Sequence, residues 1–162
     1  MLRYRLDVIT SLAIAAAFFD ALTTLGFIVT GTGVELNTTL SPLIQKSVAW
    51  IFIYLLCGPL IYPLLPRLSR NVLAIYSLTA SLIFATSNLS GICLGDFFAT
   101  RVLGYKGIVV IAITFATLSF VYLSATTFES TSEWIRHTCW LLLCVAVCGA
   151  VEGLFIVIAS TV

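Results

Sequence analysis

The chain has 162 residues, of which 60% are apolar and 9% charged, with eight Lys and Arg against seven Asp and Glu. A soluble domain carries about 25% charged residues, and a mean hydropathy of +1.14 leaves too little polar surface to cover one. A net charge of +1 also excludes a broad basic surface for nucleic acid, and the apolar content excludes a disordered chain.

A membrane-crossing helix needs about 20 mostly apolar residues. Five stretches qualify, roughly residues 8–29, 47–65, 72–95, 107–125 and 138–160. The expected fold is all-α, a bundle of five transmembrane helices forming one integral membrane domain over residues 1–162. Outer-membrane strands would alternate polar and apolar residues over about ten positions, whereas these runs are continuous.

Arg3 and Arg5 precede the first run, as in a secretory signal. Apolar residues continue past Asp20 to Val29, so the segment is long enough to span and is expected to stay uncleaved. Ala13, Ala16, Ala17, Asp20, Thr23 and Thr24 recur at three- and four-residue spacing and predict a small, polar packing stripe. Leu12, Phe18, Phe19 and Leu22 lie largely away from it.

The following loop carries Gly31, Gly33, Glu35 and Asn37, and Ser41-Pro42 is suited to opening the next helix. Asp20-x-x-Thr23-Thr24 followed by Glu35-x-Asn37 resembles a family of small prokaryotic polytopic membrane proteins catalogued as a domain of unknown function. The likeness covers about a quarter of the chain. Thr38 stands where that family tends to have proline, which is delayed here to Pro42. The resemblance implies a prokaryotic cell-membrane protein with a polar cluster, including Glu35 and Asn37, on the outer side of its first two helices. It implies no activity. Asn37-Thr38-Thr39 also fits an N-glycosylation pattern.

Pro59 and Pro63 interrupt the second span and Pro66 ends it, predicting a kink there. The third span carries Ser77, Ser81, Asn88, Gly91 and Gly95 on one stripe. Gly91/Gly95 and, in the fifth span, Gly149/Gly153 match the G-x-x-x-G pattern of close helix packing. Asp96 and Arg101 in the third loop read as solvated interface residues.

Lys and Arg mark cytoplasmic loops. The N-terminus and the second and fourth loops carry five, against three in the first and third. The N-terminus is therefore expected inside and the C-terminus outside, with Trp50 near the outer interface and Trp134 and Trp140 near the inner one.

A carboxylate within a span is costly and marks a site. Asp20 and Glu152 are two such residues, and with Asn88 they fall within about 6 Å of one depth. Asp20, Asn88 and Glu152, with Thr23 and Thr24 as further oxygens, would form a shared proton or hard-cation centre. The favoured reading is that each makes separate structural hydrogen bonds, a protonated Asp20 to Asn88 or a threonine and Glu152 elsewhere.

Five cysteines, Cys57, Cys93, Cys139, Cys144 and Cys148, all lie in or at the ends of spans. They suit small apolar packing better than a disulfide framework or a soft-metal site. The single histidine, His137, sits at a helix end, and hydrolase, P-loop and nucleotide motifs are absent. No cofactor is implied. The leading expectation is a non-catalytic subunit in the lipid bilayer, with other membrane subunits or copies of itself as partners and no nucleic acid. The alternatives are a proton- or cation-binding transport protein and, as a minority reading, an intramembrane enzyme.

Overall fold

Asp7 opens the first helix by accepting a hydrogen bond from the Thr10 amide at 2.9 Å, which satisfies a donor that the helix itself leaves unpaired. The computed structural model describes residues 7–31 and 40–161, apart from the side chains of 148, 149, 151, 152, 156, 159 and 160. Among the described residues the chain is all-helical. Its elements are α1 (Val8–Thr30), α2 (Leu40–Lys46), α3 (Ala49–Ile61), α4 (Arg67–Leu94), α5 (Phe98–Thr127) and α6 (Thr131–Ser160), with a 3-10 turn at Tyr62–Leu64.

Three helices, α1, α4 and α5, are long and apolar enough to cross a membrane. The second predicted span is divided. Pro59 lies inside α3, and the helix tightens into the turn containing Pro63 before Pro66 caps α4. With 13 residues, α3 alone reaches about 20 Å, short of the roughly 30 Å hydrocarbon layer. α5 is bent at Gly104, whose φ of 65° and ψ of 167° are non-helical and open to glycine alone. Arg101 therefore lies on a short helical lead-in to the fourth predicted span rather than in an open loop. α6 starts ahead of the fifth predicted span because Ser130 caps it, accepting from the Glu133 amide at 3.3 Å.

α1 lies along α4 and α3, and α4 lies along α5. The buried face of α1 comprises Ala13, Ala16, Ala17, Asp20, Thr23 and Thr24, with Thr10, Ala21 and Phe27. This is the predicted stripe, and Leu12, Phe18, Phe19 and Leu22 are exposed. Small side chains let the two backbones approach closely.

Asp7 meets Arg70 near the starts of α1 and α4, Asp20 meets Asn88 further along, and Phe27 meets Phe97 just beyond α4. The two helices therefore run in the same direction, as expected for the first and third spans. α3 carries the chain back past them. Phe155 of α6 lies against Trp50 and Tyr54 early in α3, while Cys144 packs in a cluster with Tyr62 just after its end. α6 thus runs opposite to α3. Ala13, Leu73 and Ala74 complete that cluster, giving Cys144 an apolar setting.

Candidate functional site

Two buried faces meet where α1 crosses the second half of α4. Asp20, Thr23, Thr24 and Asn88 are all buried there. The Asn88 amide nitrogen donates to Thr24 Oγ1 at 3.0 Å and, at longer range, to Asp20 Oδ1 at 3.4 Å and Thr23 Oγ1 at 3.5 Å. Thr23 sends its own hydroxyl proton to the Asp20 carbonyl at 3.0 Å, so its oxygen is left to accept. A buried carboxyl is expensive without such donors. Asn88 supplies one from a position 68 residues away in sequence.

Asp20, Thr24 and Asn88 form one wall of a cavity of about 750 Å³. Tyr54 and Pro59 of α3, Tyr76 and Phe84 of α4, and Tyr105 of α5 also line it. The cavity extends to Asp96 and Arg101, whose side chains form an exposed ion pair at 3.0 Å. Both residues are exposed to solvent, and they mark the cavity's mouth. A second, apolar cavity of about 290 Å³ lies between α3 and α6, lined by Cys57, Trp140, Cys144 and Phe155 among others.

Sequence reasoning put Asp20 and Asn88 at one depth, with Thr23 and Thr24 on the same stripe as Asp20, and the structure has all four together. Glu35 and Asn37 lie outside the described residues, as does the side chain of Glu152. The glycines occupy different settings. A Cβ on Gly91 would overlap the Phe97 ring, which packs edge-on against Phe27 at 5.8 Å. Gly95 ends α4 in the left-handed conformation, φ 68°, with its amide bonded to the Gly91 carbonyl. Gly153 has open space at its Cβ position, and Gly149 is outside the described side chains.

The turn after α4 is fastened by hydroxyls. Ser87 accepts from the Thr100 amide at 3.1 Å, and Ser90 donates to the Asp96 carbonyl at 2.7 Å. These bonds hold Asp96, and with it the mouth of the cavity, against the end of α4.

A second polar centre was missed in the sequence. Arg70, counted there as a loop charge, is buried in the first turn of α4 and pairs with Asp7 at 2.9 Å. With its amide nitrogen turned inwards, Asn71 also donates to Asp7 at 3.0 Å. Burial pushes the Asp7 carboxyl up, but Thr10, through its hydroxyl and amide, and the Arg70 guanidinium outweigh it and hold Asp7 below the usual carboxylate range. The legible signal was Asp7-x-x-Thr10, an aspartate cap opening an apolar run.

Fold and site together define a protein that is all-helical among the described residues, with three helices able to cross a membrane and a buried polar cluster beside a half-open cavity. No family model, curated protein or solved structure matches the chain.

Proposed function

We propose that this chain is a multi-pass integral membrane protein of five crossings that binds a proton or a hard cation at a centre built on Asp20 and Asn88. The observation that carries the proposal is the meeting of Asp20, Thr24 and Asn88 on the wall of a half-open cavity between the helices. A lipid-facing carboxylate would serve no such purpose and would cost about 2.5–3.5 kcal/mol on insertion scales. Five crossings are supported by the alternating directions of the helices, since the parallel α1 and α4 require a return between them. The N-terminus is proposed to be cytoplasmic, the C-terminus outside and the membrane a prokaryotic cell membrane, in keeping with the charge count and the resemblance to small prokaryotic membrane proteins. Glu152 is proposed as a second acid of the centre.

The amide orientation of Asn88 favours a proton over a metal. Its nitrogen points at Asp20 and Thr24, and an oxygen-ligated metal would need the carbonyl end instead. Purified protein in sealed vesicles should show proton or sodium flux that Asp20→Asn reduces at least tenfold. Equal flux in both would remove Asp20 from the mechanism.

A second proposal, a non-catalytic subunit of a larger assembly or a homo-oligomer, is favoured by the outer faces of α5 and α6. Val110, Leu118, Val121 and Tyr122 on α5, and Leu142 and Leu154 on α6, are exposed. Isolation in mild detergent should then recover a complex larger than one chain. A lone monodisperse monomer would count against it.

A further inference from the structure

The cavity has one open end and one closed end. Its open end is marked by Asp96 and Arg101, whose paired side chains are 41% and 66% exposed. Charges so placed belong at the membrane surface, because the hydrocarbon layer penalises them heavily. From there the cavity runs along one face of α4, past Asn88, Phe84, Ser81 and Ala80, to Ser77 and Tyr76. α4 ends at Leu94, so Ser81 lies about 20 Å along the helix from that end.

Among the described residues, no lining residue precedes Asp20 on α1 or Tyr76 on α4. The space there is filled. The Tyr62 hydroxyl meets that of Ser77 at 2.5 Å, and Tyr62 packs with Ala13, Leu73, Ala74 and Cys144 in the buried cluster. Further on, the Asp7–Arg70 pair ties together the starts of α1 and α4. A closely packed interior of this kind leaves no passage for water.

A cavity of about 750 Å³ has the volume of roughly 25 water molecules at about 30 Å³ each. Water fills a space of this size when polar groups border it, and Asp20, Thr24, Ser81, Asn88 and Thr100 all contribute to this wall. The smaller cavity between α3 and α6 is by contrast almost wholly apolar.

We infer that the larger cavity is a water-filled vestibule connecting the Asp20 centre to one side of the membrane only, the side of Asp96, and that Tyr62 closes its far end. This rests on the reading of Asp20 as a proton- or cation-binding group, and it adds the side from which the proton or cation arrives. With the N-terminus cytoplasmic, that side is the outside. Passage to the other side then requires Tyr62 to leave Ser77. Pro59 lies one turn before Tyr62, and the 3-10 turn begins at Tyr62 itself, so the helical hydrogen-bond ladder is interrupted where the ring would have to move.

The test is the reaction of single cysteines with a charged, membrane-impermeant methanethiosulfonate, applied to either side of sealed vesicles. The full chain carries serine in place of its native cysteines, and only variants that keep the wild-type elution in detergent are compared. Ser81→Cys and, as a second lining position, Ala80→Cys should react from the side that labels Asp96→Cys at least about tenfold faster than from the other, because hydrocarbon excludes a fixed charge. Ala74→Cys, within the packed cluster, should react from neither side. Adding Tyr62→Ala should make Ala74→Cys reactive from the Asp96 side. Reaction of both lining positions from the opposite side, or from neither, would overturn the vestibule. Labelling by a lipid-soluble maleimide alone would show a cavity facing lipid and overturn it equally. If Ala74→Cys stays unreactive beside Tyr62→Ala, the assignment of Tyr62 is wrong. These readouts do not use flux. If Asp20-dependent flux persists without the expected labelling, the vestibule alone falls, and if labelling is as expected but Asp20→Asn leaves flux unchanged, the vestibule stands and the Asp20 centre falls.

Discussion

Asp20 and Asn88 form a matched pair in which the amide gives what the carboxyl and the Thr24 hydroxyl accept. Asn88→Leu removes that donor and leaves buried acceptors short of a partner, a loss of about 1–3 kcal/mol. Denaturant unfolding of the detergent-solubilised chain should register it. An unchanged midpoint would mean that the contact contributes nothing to stability. Asp20→Leu differs in kind. Leucine is cheaper than aspartate to insert into a bilayer, so the chain should still reach the membrane while losing flux or assembly. Failure to insert would show Asp20 acting in biogenesis instead. At the other end of α1, the Asp7–Arg70 pair predicts a response to acid. Because its folded carboxyl lies below the usual range, Asp7 contributes stability that is fully present above its unfolded value, near pH 4. The contribution declines as pH falls from there through the folded value. Wild-type protein should therefore lose stability in that window, and Asp7→Asn should flatten the loss. Parallel acid profiles for the two would refute the assignment.

The helices owe their ends and bends to a few positions. Gly91 leaves room for Phe97, which folds back over the end of α4 and meets Phe27 of α1. Gly91→Ala should force that ring aside and destabilise by about 1–3 kcal/mol, the cost of overfilling a packed contact. Gly153→Ala meets open space and should alter the stability of the isolated chain by no more than about 0.5 kcal/mol. Thermal unfolding of the two variants side by side checks both expectations. If Gly153→Ala instead dissolves a complex seen in mild detergent while leaving the chain folded, the G-x-x-x-G face of α6 is a contact between subunits. The shared motif in sequence thus covers two settings. Gly91 is filled from the turn that follows its own helix, and no described residue fills the space at Gly153.

Across the molecule, direction is the property on which function turns. α1 and α4 run together, α3 runs back past them, and α6 runs opposite to α3. α5 leaves α4 through a three-residue turn that Gly95 begins. If α5 crosses the membrane, Asp96 and Glu129, at its two ends, face opposite sides. Single-cysteine variants Asp96→Cys and Glu129→Cys, made after replacing the native cysteines with serine, should label from opposite sides of intact cells with an impermeant maleimide. With the N-terminus cytoplasmic, Asp96→Cys labels from outside. Labelling of both from one side would refute a crossing by α5.

Helix class, the small-residue stripe of α1 and the bend near Pro59 were determined by sequence, because each depends on neighbours within about four positions along the chain. Burial of Asp20 followed as well, since an aspartate on that stripe has lipid or protein as its alternatives and lipid is the costlier. The shared depth of Asp20 and Asn88 could be counted from the ends of apolar runs. Their meeting could not, because it requires α1 and α4 to lie side by side in the same direction. The tertiary structure also moved Arg70 from a loop charge to a buried partner of Asp7, filled the space at Gly91 with Phe97, and shortened α3 between its prolines. It gathered Tyr54, Tyr76, Phe84 and Tyr105 from three helices around one cavity. These depend on which faces meet, and hydropathy carries no record of that, because every face of such a helix is apolar enough to meet either lipid or protein.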